Sequence, residues 1–221
     1  MGLKTPPSGA APSPDTTCDS MNIQLWFALA VFVFVNSITP GPNNVMLTAA
    51  GANFGYRRCL PHMLGISLGA AIMVLLVGAG LGTVFQKVPA AYTTLKYAGA
   101  AYLLYLAWRI TRSGSAPDGQ HRGRPFTFLE AAAFQWVNPK AWIMVVGMIA
   151  AYMPQTYAAY ELALAALVLA AVNYPSISFW TLFGSAVGKV LRGPRALQVF
   201  NISMAVLLVL SLYPIFAEQM G

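Results

Sequence analysis

The sequence predicts an all-α fold, a polytopic membrane helix bundle of six spans, and three observations carry that expectation. Of 221 residues, 57% are hydrophobic and only 9% are charged, against about 25% charged in an ordinary soluble domain. The mean hydropathy is +0.61. Six apolar stretches reach the roughly 20 residues needed to cross a hydrocarbon core of about 30 Å. The length suffices for one bundle with no separate soluble domain.

Residues 1–20 are rich in Pro, Ser, Thr and Ala and have no apolar period, which predicts a disordered N-terminal tail. They carry no apolar h-region of a signal peptide, and Met21 is an alternative start. The six-span domain covers 21–216. Its first span runs over about 22–53 and is interrupted at Thr39-Pro40-Gly41-Pro42-Asn43-Asn44. The second covers about 61–86 and the third about 92–111, followed by a polar loop at 112–125. The fourth covers about 126–152 and is interrupted at Asn138-Pro139-Lys140. The fifth, about 158–187, carries an expected kink at Asn173-Tyr174-Pro175, and the sixth covers about 196–216. Three spans thus precede the polar loop (21–111) and three follow it (126–216). An odd number per half inserts the halves with opposite topology, the arithmetic of an inverted repeat. Both breaks fall in the first span of their half.

Loop charge sets the orientation. The loops after spans one, three and five hold Arg57, Arg58, Arg109, Arg112, Arg122, Arg124, Lys189, Arg192 and Arg195, while the other segments outside the core hold Lys4, Lys87 and Lys96. The odd-numbered loops are expected in the cytoplasm and both termini in the periplasm. The net charge of +7 therefore reports topology rather than affinity for nucleic acid. Cys18 and Cys59 form no CxxC pair, so a disulfide or metal role has little support. The pairs Gly51/Gly55, Gly65/Gly69, Gly78/Gly82 and Gly184/Gly188 have the spacing of close helix packing, or of a sliding surface.

The breaks are the candidate site. A proline inside a helix removes a donor and clashes with the preceding turn, at about 3 kcal/mol. In hydrocarbon no water satisfies the freed carbonyls, so such breaks persist only inside protein or beside a wet cavity. Corresponding breaks in two halves point to a transport site. Pro42 suits the first position of a restarted helix. The free N–H groups that follow it make a place for a carboxylate. Thr39, Pro40, Gly41, Pro42, Asn43 and Asn44 are therefore candidate substrate-binding residues, with a plain structural kink as the alternative. Gln135, Asn138, Pro139 and Lys140 are their candidates in the second break. Lys140 lies about 21 Å into its span at 1.5 Å per residue, too deep to reach the near interface. A charge there is costly, so it should meet either a substrate anion or the carbonyls of a broken helix. Trp136 lies inside the same break.

Glu130, about one turn inside its span, is either an interfacial anchor or a gating or proton-coupling group. His62, near the start of span two, reads as an interface residue, with a proton relay as the alternative. No Asp lies in any span, and no zinc motif or glycine-rich nucleotide loop occurs, so no metal, cofactor or catalytic residue is expected. An intramembrane enzyme lacks a nucleophile–base constellation. A non-transporting scaffold or sensor gives no reason for a buried lysine and two breaks at matching depth.

These residues match a known pattern. Thr39–Asn44, Gly51–Arg58, Leu64-Gly65-Ile66-Ser67-Leu68-Gly69, Lys96–Arg109 and Phe134–Lys140 make the chain resemble the LysE/RhtB family of amino-acid exporters over 21–216. The Asn43-Asn44 pair is most similar to the subgroup that exports cysteine and O-acetylserine. The resemblance implies secondary-active efflux of small neutral amino acids or derivatives from the bacterial cytoplasm. Cysteine, O-acetylserine, or substrates of the homoserine and threonine type fit it, as does another small metabolite. It further implies a multi-pass inner-membrane protein among lipid, with protons as the coupling ion, and leaves room for a homo-oligomer. The tail at 1–20 departs from the pattern.

Overall fold

The computed structural model describes residues 21–81, 89–115, 121–154, 156–191 and 193–213. The expected tail at 1–20 lies outside them. Eight α-helices follow in order among the described residues: α1 (Ile23–Ile38), α2 (Pro42–Phe54), α3 (Leu60–Leu76), α4 (Pro89–Thr111), α5 (Phe128–Gln135), α6 (Pro139–Tyr152), α7 (Ala159–Val190) and α8 (Pro194–Leu210). A 3-10 turn at Arg57–Cys59 leads into α3, and a π turn at Val77–Leu81 ends it. The only strands described are β1 (Gly114–Ser115) and β2 (His121–Arg122), antiparallel with Gly114 opposite Arg122.

The helix starts follow the sequence chemistry. The Asn22 side chain accepts from the Leu25 amide and starts α1. Pro42, Pro139 and Pro194 occupy the first turns of α2, α6 and α8, where a missing N–H costs nothing. The first span is two helices bent by 55° at its break. The fourth divides likewise into α5 and α6. The fifth is one helix of 32 residues that continues through Pro175. There the Ser176 hydroxyl donates to the Val172 carbonyl. Arg57–Leu81 and α7 are each long and apolar enough to cross a membrane, and α1 with α2 passes the same test when the bent pair is taken as one span. The helix α4 has 23 residues, and the sixth predicted span is described to residue 213.

Apolar side chains form two buried clusters and also cover much of the outer surface. Phe27, Ile143 and Leu167 are 71%, 68% and 63% exposed, whereas Gln135, Asn138, Thr181 and Asn201 are at most 1% exposed. Apolar side chains face outward, as lipid requires, and polar ones bond inward.

Helix α2 packs along α7, α3 against α5 and α7, and α4 against α8. Glycines set the first two contacts. A Cβ at Gly184 would fall on the Thr48 backbone, at Gly188 on the Ala52 backbone, and at Gly51 on the Thr181 backbone. Gly65 and Gly69 lie equally close to Phe128 and Ala132 of α5. Gly55 departs from the packing expectation. It has open space around it and a φ of 79°, so it serves the turn after α2. Gly82 lies outside the described residues.

One end of the bundle collects the basic residues. Arg57, Arg58 and Lys189 line one hollow, Arg109 and Arg124 line a cavity, and Phe54 borders both.

Candidate functional site

The two breaks meet. Asn43 Nδ2 donates to Gln135 Oε1 at 2.9 Å, and Gln135 Nε2 donates back to Asn43 Oδ1 at 3.2 Å. Gln135 also donates to the Ala131 carbonyl of its own helix at 2.9 Å. Lys140 Nζ donates to the Thr39 carbonyl and, at 3.2 Å, to the Pro40 carbonyl. The lysine of the second break thus holds the carbonyls freed by the first, the alternative that burial logic allowed beside substrate binding. An ammonium has three donors, and these bonds use two.

Gly41, Asn43, Asn44, Gln135, Asn138, Lys140, Met144 and Asn173 line a cavity of about 30 Å³ between the breaks. That is room for about two waters. Thr39 and Pro40 contribute backbone carbonyls. Their side chains are exposed, and the Thr39 hydroxyl donates to the Val35 carbonyl. Pro42 and Pro139 start their helices without lining the cavity.

The two restarted helices differ at their ends. Asn138 caps α6 by accepting from the Lys140 amide at 3.1 Å. Gly41, the residue before α2, has no side chain to cap with, and no side chain caps that end. Asn44, 3% exposed, turns away from its own amides and donates to the Ser37 and Thr39 carbonyls, both at 2.8 Å. Gly41, Asn43 and Asn44 thus bring the start of α2, its positive dipole end, to the cavity wall. Gly41 is needed for another reason: a Cβ there would lie 2.6 Å from Lys140 Cδ.

Sequence reasoning missed part of this wall. Asn173 Nδ2 donates to Ser37 Oγ at 2.9 Å, and Ser67 Oγ donates to Asn173 Oδ1 at 2.9 Å. The chain ties α1, α3 and α7 together behind the cavity. Its sequence signal was a single asparagine in an apolar run beside Pro175. Trp136 acts from the back of its break: its carbonyl accepts from Trp142 Nε1 at 2.8 Å.

Glu130 is not at this cavity. It accepts from the Thr127 amide at 2.8 Å in a capping box that starts α5. It also takes both guanidinium nitrogens of Arg124, one at 2.7 Å, and lies 3.8 Å from Arg109. The direct bond to Glu130 raises Arg124 above the usual guanidinium range. Glu130 is thus the anchor between the basic loop and α5. The described residues contain no group of three or more His, Cys, Asp and Glu able to hold a metal.

Comparison with known proteins identifies the family. The family model described as LysE type translocator matches residues 34–212. The chain is 31% identical over 198 residues to the cysteine/O-acetylserine efflux protein of Escherichia coli (strain K12), covering 89% of this chain and all of the relative. The protein of the same description from Shigella sonnei (strain Ss046) has the same identity and coverage. That of Shigella flexneri is 31% identical over 191 residues, covering 86% of this chain and 96% of the relative. No solved structure matches.

Proposed function

This chain belongs to the LysE type translocator family, and from that premise we propose that it exports a small neutral amino acid or derivative, of the cysteine or O-acetylserine kind, across the bacterial inner membrane. The observation that carries this reading is the meeting of two broken helices at one polar cavity. The substrate carboxylate takes the uncapped N–H groups of α2, with Asn43 beside them. The third donor of Lys140 faces the same charge. Gln135 and Asn138 hold the amide side of the wall. The 30 Å³ cavity must widen to admit a substrate, so transport moves one half-bundle against the other and parts the Asn43–Gln135 pair. A proton gradient drives the cycle, and Glu130 with Arg124 serves as a gate contact on the basic face. The decisive experiment is exchange and uphill movement of labelled cysteine, O-acetylserine, homoserine and threonine in proteoliposomes under an imposed pH gradient. Failure to move any of them would remove the proposal.

Asn43→Ala and Gln135→Ala should each strongly reduce transport while the protein still inserts. The double variant should be no worse than either single one. A reciprocal amide pair is worth about 1 kcal/mol of coupling, and additive losses in a double-mutant cycle would show the pair to be incidental.

The orientation can be read by thiol labelling. Cys59 is fully buried, so it cannot report, and Arg58, exposed one residue earlier, should carry the probe. In a Cys18→Ser, Cys59→Ala background, Arg58→Cys should resist an impermeant reagent in intact cells and Pro154→Cys should react. The opposite pattern would invert the topology.

A further inference from the structure

Among the described residues, the imidazole of His62 holds the buried side-chain polar atoms that lack a partner. It is 1% exposed, and neither imbedded imidazole nitrogen has a hydrogen-bond partner among the described residues. The sequence reading expected an interface residue; the structure places this ring inside. Buried donors and acceptors are almost always satisfied, and an exception asks for a function.

The ring lies against Phe126, with centroids 5.1 Å apart, and borders a second cavity of about 40 Å³. That volume takes roughly three waters. Asn53, Arg109, Ser113 and Arg124 also line it, so the walls offer polar partners. The groups around the ring come from every neighbouring element. From α4 comes Arg109, which lines the same cavity. From the loop before α5 comes Arg124, and from α5 itself Glu130. From α2 comes neutral Asn53, and on the ring's own side buried Cys59. Arg109 stacks on Phe126 at 4.8 Å and touches Glu130 only at 3.8 Å. Among the described residues Glu130 is therefore the formal negative charge that acts on His62, and Arg124 already holds it.

We infer that His62 is the proton-binding site of the transport cycle, on the basic-loop face, read out through Glu130. This rests on the export function proposed above and names the group that couples it to protons. The nitrogen lone pair takes one proton from a hydronium ion, breaking that O–H bond, and later returns it to a water in the second cavity, where an O–H bond re-forms. An imidazolium there competes with Arg124 for Glu130. It thereby loosens the contact that ties the basic loop to α5, and α5 carries Gln135 of the first cavity at its other end. Glu130 itself, with Arg124 and Thr127 on its oxygens, responds to the proton and does not carry it.

The test compares two assays on purified His62→Gln in proteoliposomes, with labelled cysteine and O-acetylserine as probes. Counterflow of labelled against unlabelled substrate needs no net proton movement and should persist. Accumulation driven by a pH gradient should be lost. Retention of driven accumulation by the variant would overturn the inference, as would loss of counterflow with the variant still folded. A wild-type protein that exchanges neither probe would instead sink the export reading. Should the variant not fold, the chain's two histidines allow a direct measurement. In full-length His121→Ala protein, His62 gives the only ¹⁵N-histidine signal. Its protonation should change when substrate is added at fixed pH, and an unchanged imidazole signal would overturn the assignment.

Discussion

Lys140→Ala should abolish export and, in the same protein, lower the melting temperature in detergent. The ammonium holds the Thr39 and Pro40 carbonyls, which Gly41 and Pro42 deprive of helical partners. Removing it leaves the Pro40 carbonyl without a donor among the described residues and the Thr39 carbonyl with the Asn44 side chain alone. A hydrogen bond from a charged donor contributes about 1.5–3 kcal/mol, so a loss of roughly that size or more is expected. The α1–α2 bend then loses the group that fixes its shape. A lysine that only bound substrate would behave otherwise, with affinity falling and thermal stability nearly unchanged. Lys140→Arg should rescue stability in part and export poorly, because a planar fork replaces a compact point charge. The space is short as well, since Gly41 already touches the lysine stem. Wild-type export and melting in Lys140→Ala would leave the meeting of the breaks without a role.

The second large effect is structural. Gly184→Val should give little or no monodisperse protein in detergent. The added atoms would fall on the Thr48 backbone of α2, which cannot rotate aside as a side chain can. Overpacking costs about 1–3 kcal/mol where side chains can yield, and here the helices themselves must separate. The control is Gly147→Ala on α6, where the nearest atom is Phe32 Cζ at 3.4 Å. It should be neutral or slightly stabilising, by up to about 1 kcal/mol of helix propensity. Equal behaviour of the two variants would show that the α2–α7 seam is looser than its geometry implies.

Both breaks were legible in the sequence because proline chemistry is local. Pro42 and Pro139 announce a restarted helix wherever they stand. The two uses of Lys140 were also on view, since depth alone demands a partner, but the choice of Thr39 and Pro40 needed the fold. The Ser37–Asn173–Ser67 chain was not legible. Its members lie on three helices, and no spacing rule joins residues 37, 67 and 173. His62 was misjudged for a related reason. Position near a span's start suggests an interface, whereas Phe126 and the loop before α5 fold over it. Glycine spacing marked faces of close packing at Gly65/Gly69 and Gly184/Gly188 but not their partners, and it could not separate Gly51, which packs, from Gly55, which turns.

The smallness of the first cavity bears on the cell's energy supply. The first cavity, of about 30 Å³, is walled by paired amides and a lysine already bonded to carbonyls, and holds about two waters. A bacterium holding many idle copies should therefore keep its membrane potential, and growth cost should appear only when the exported compound accumulates. Conductance of membranes loaded with the purified protein should stay at the lipid baseline without substrate. On that expectation, parting the proposed recognition pair Asn43–Gln135 would be an electrical event as well as a mechanical one.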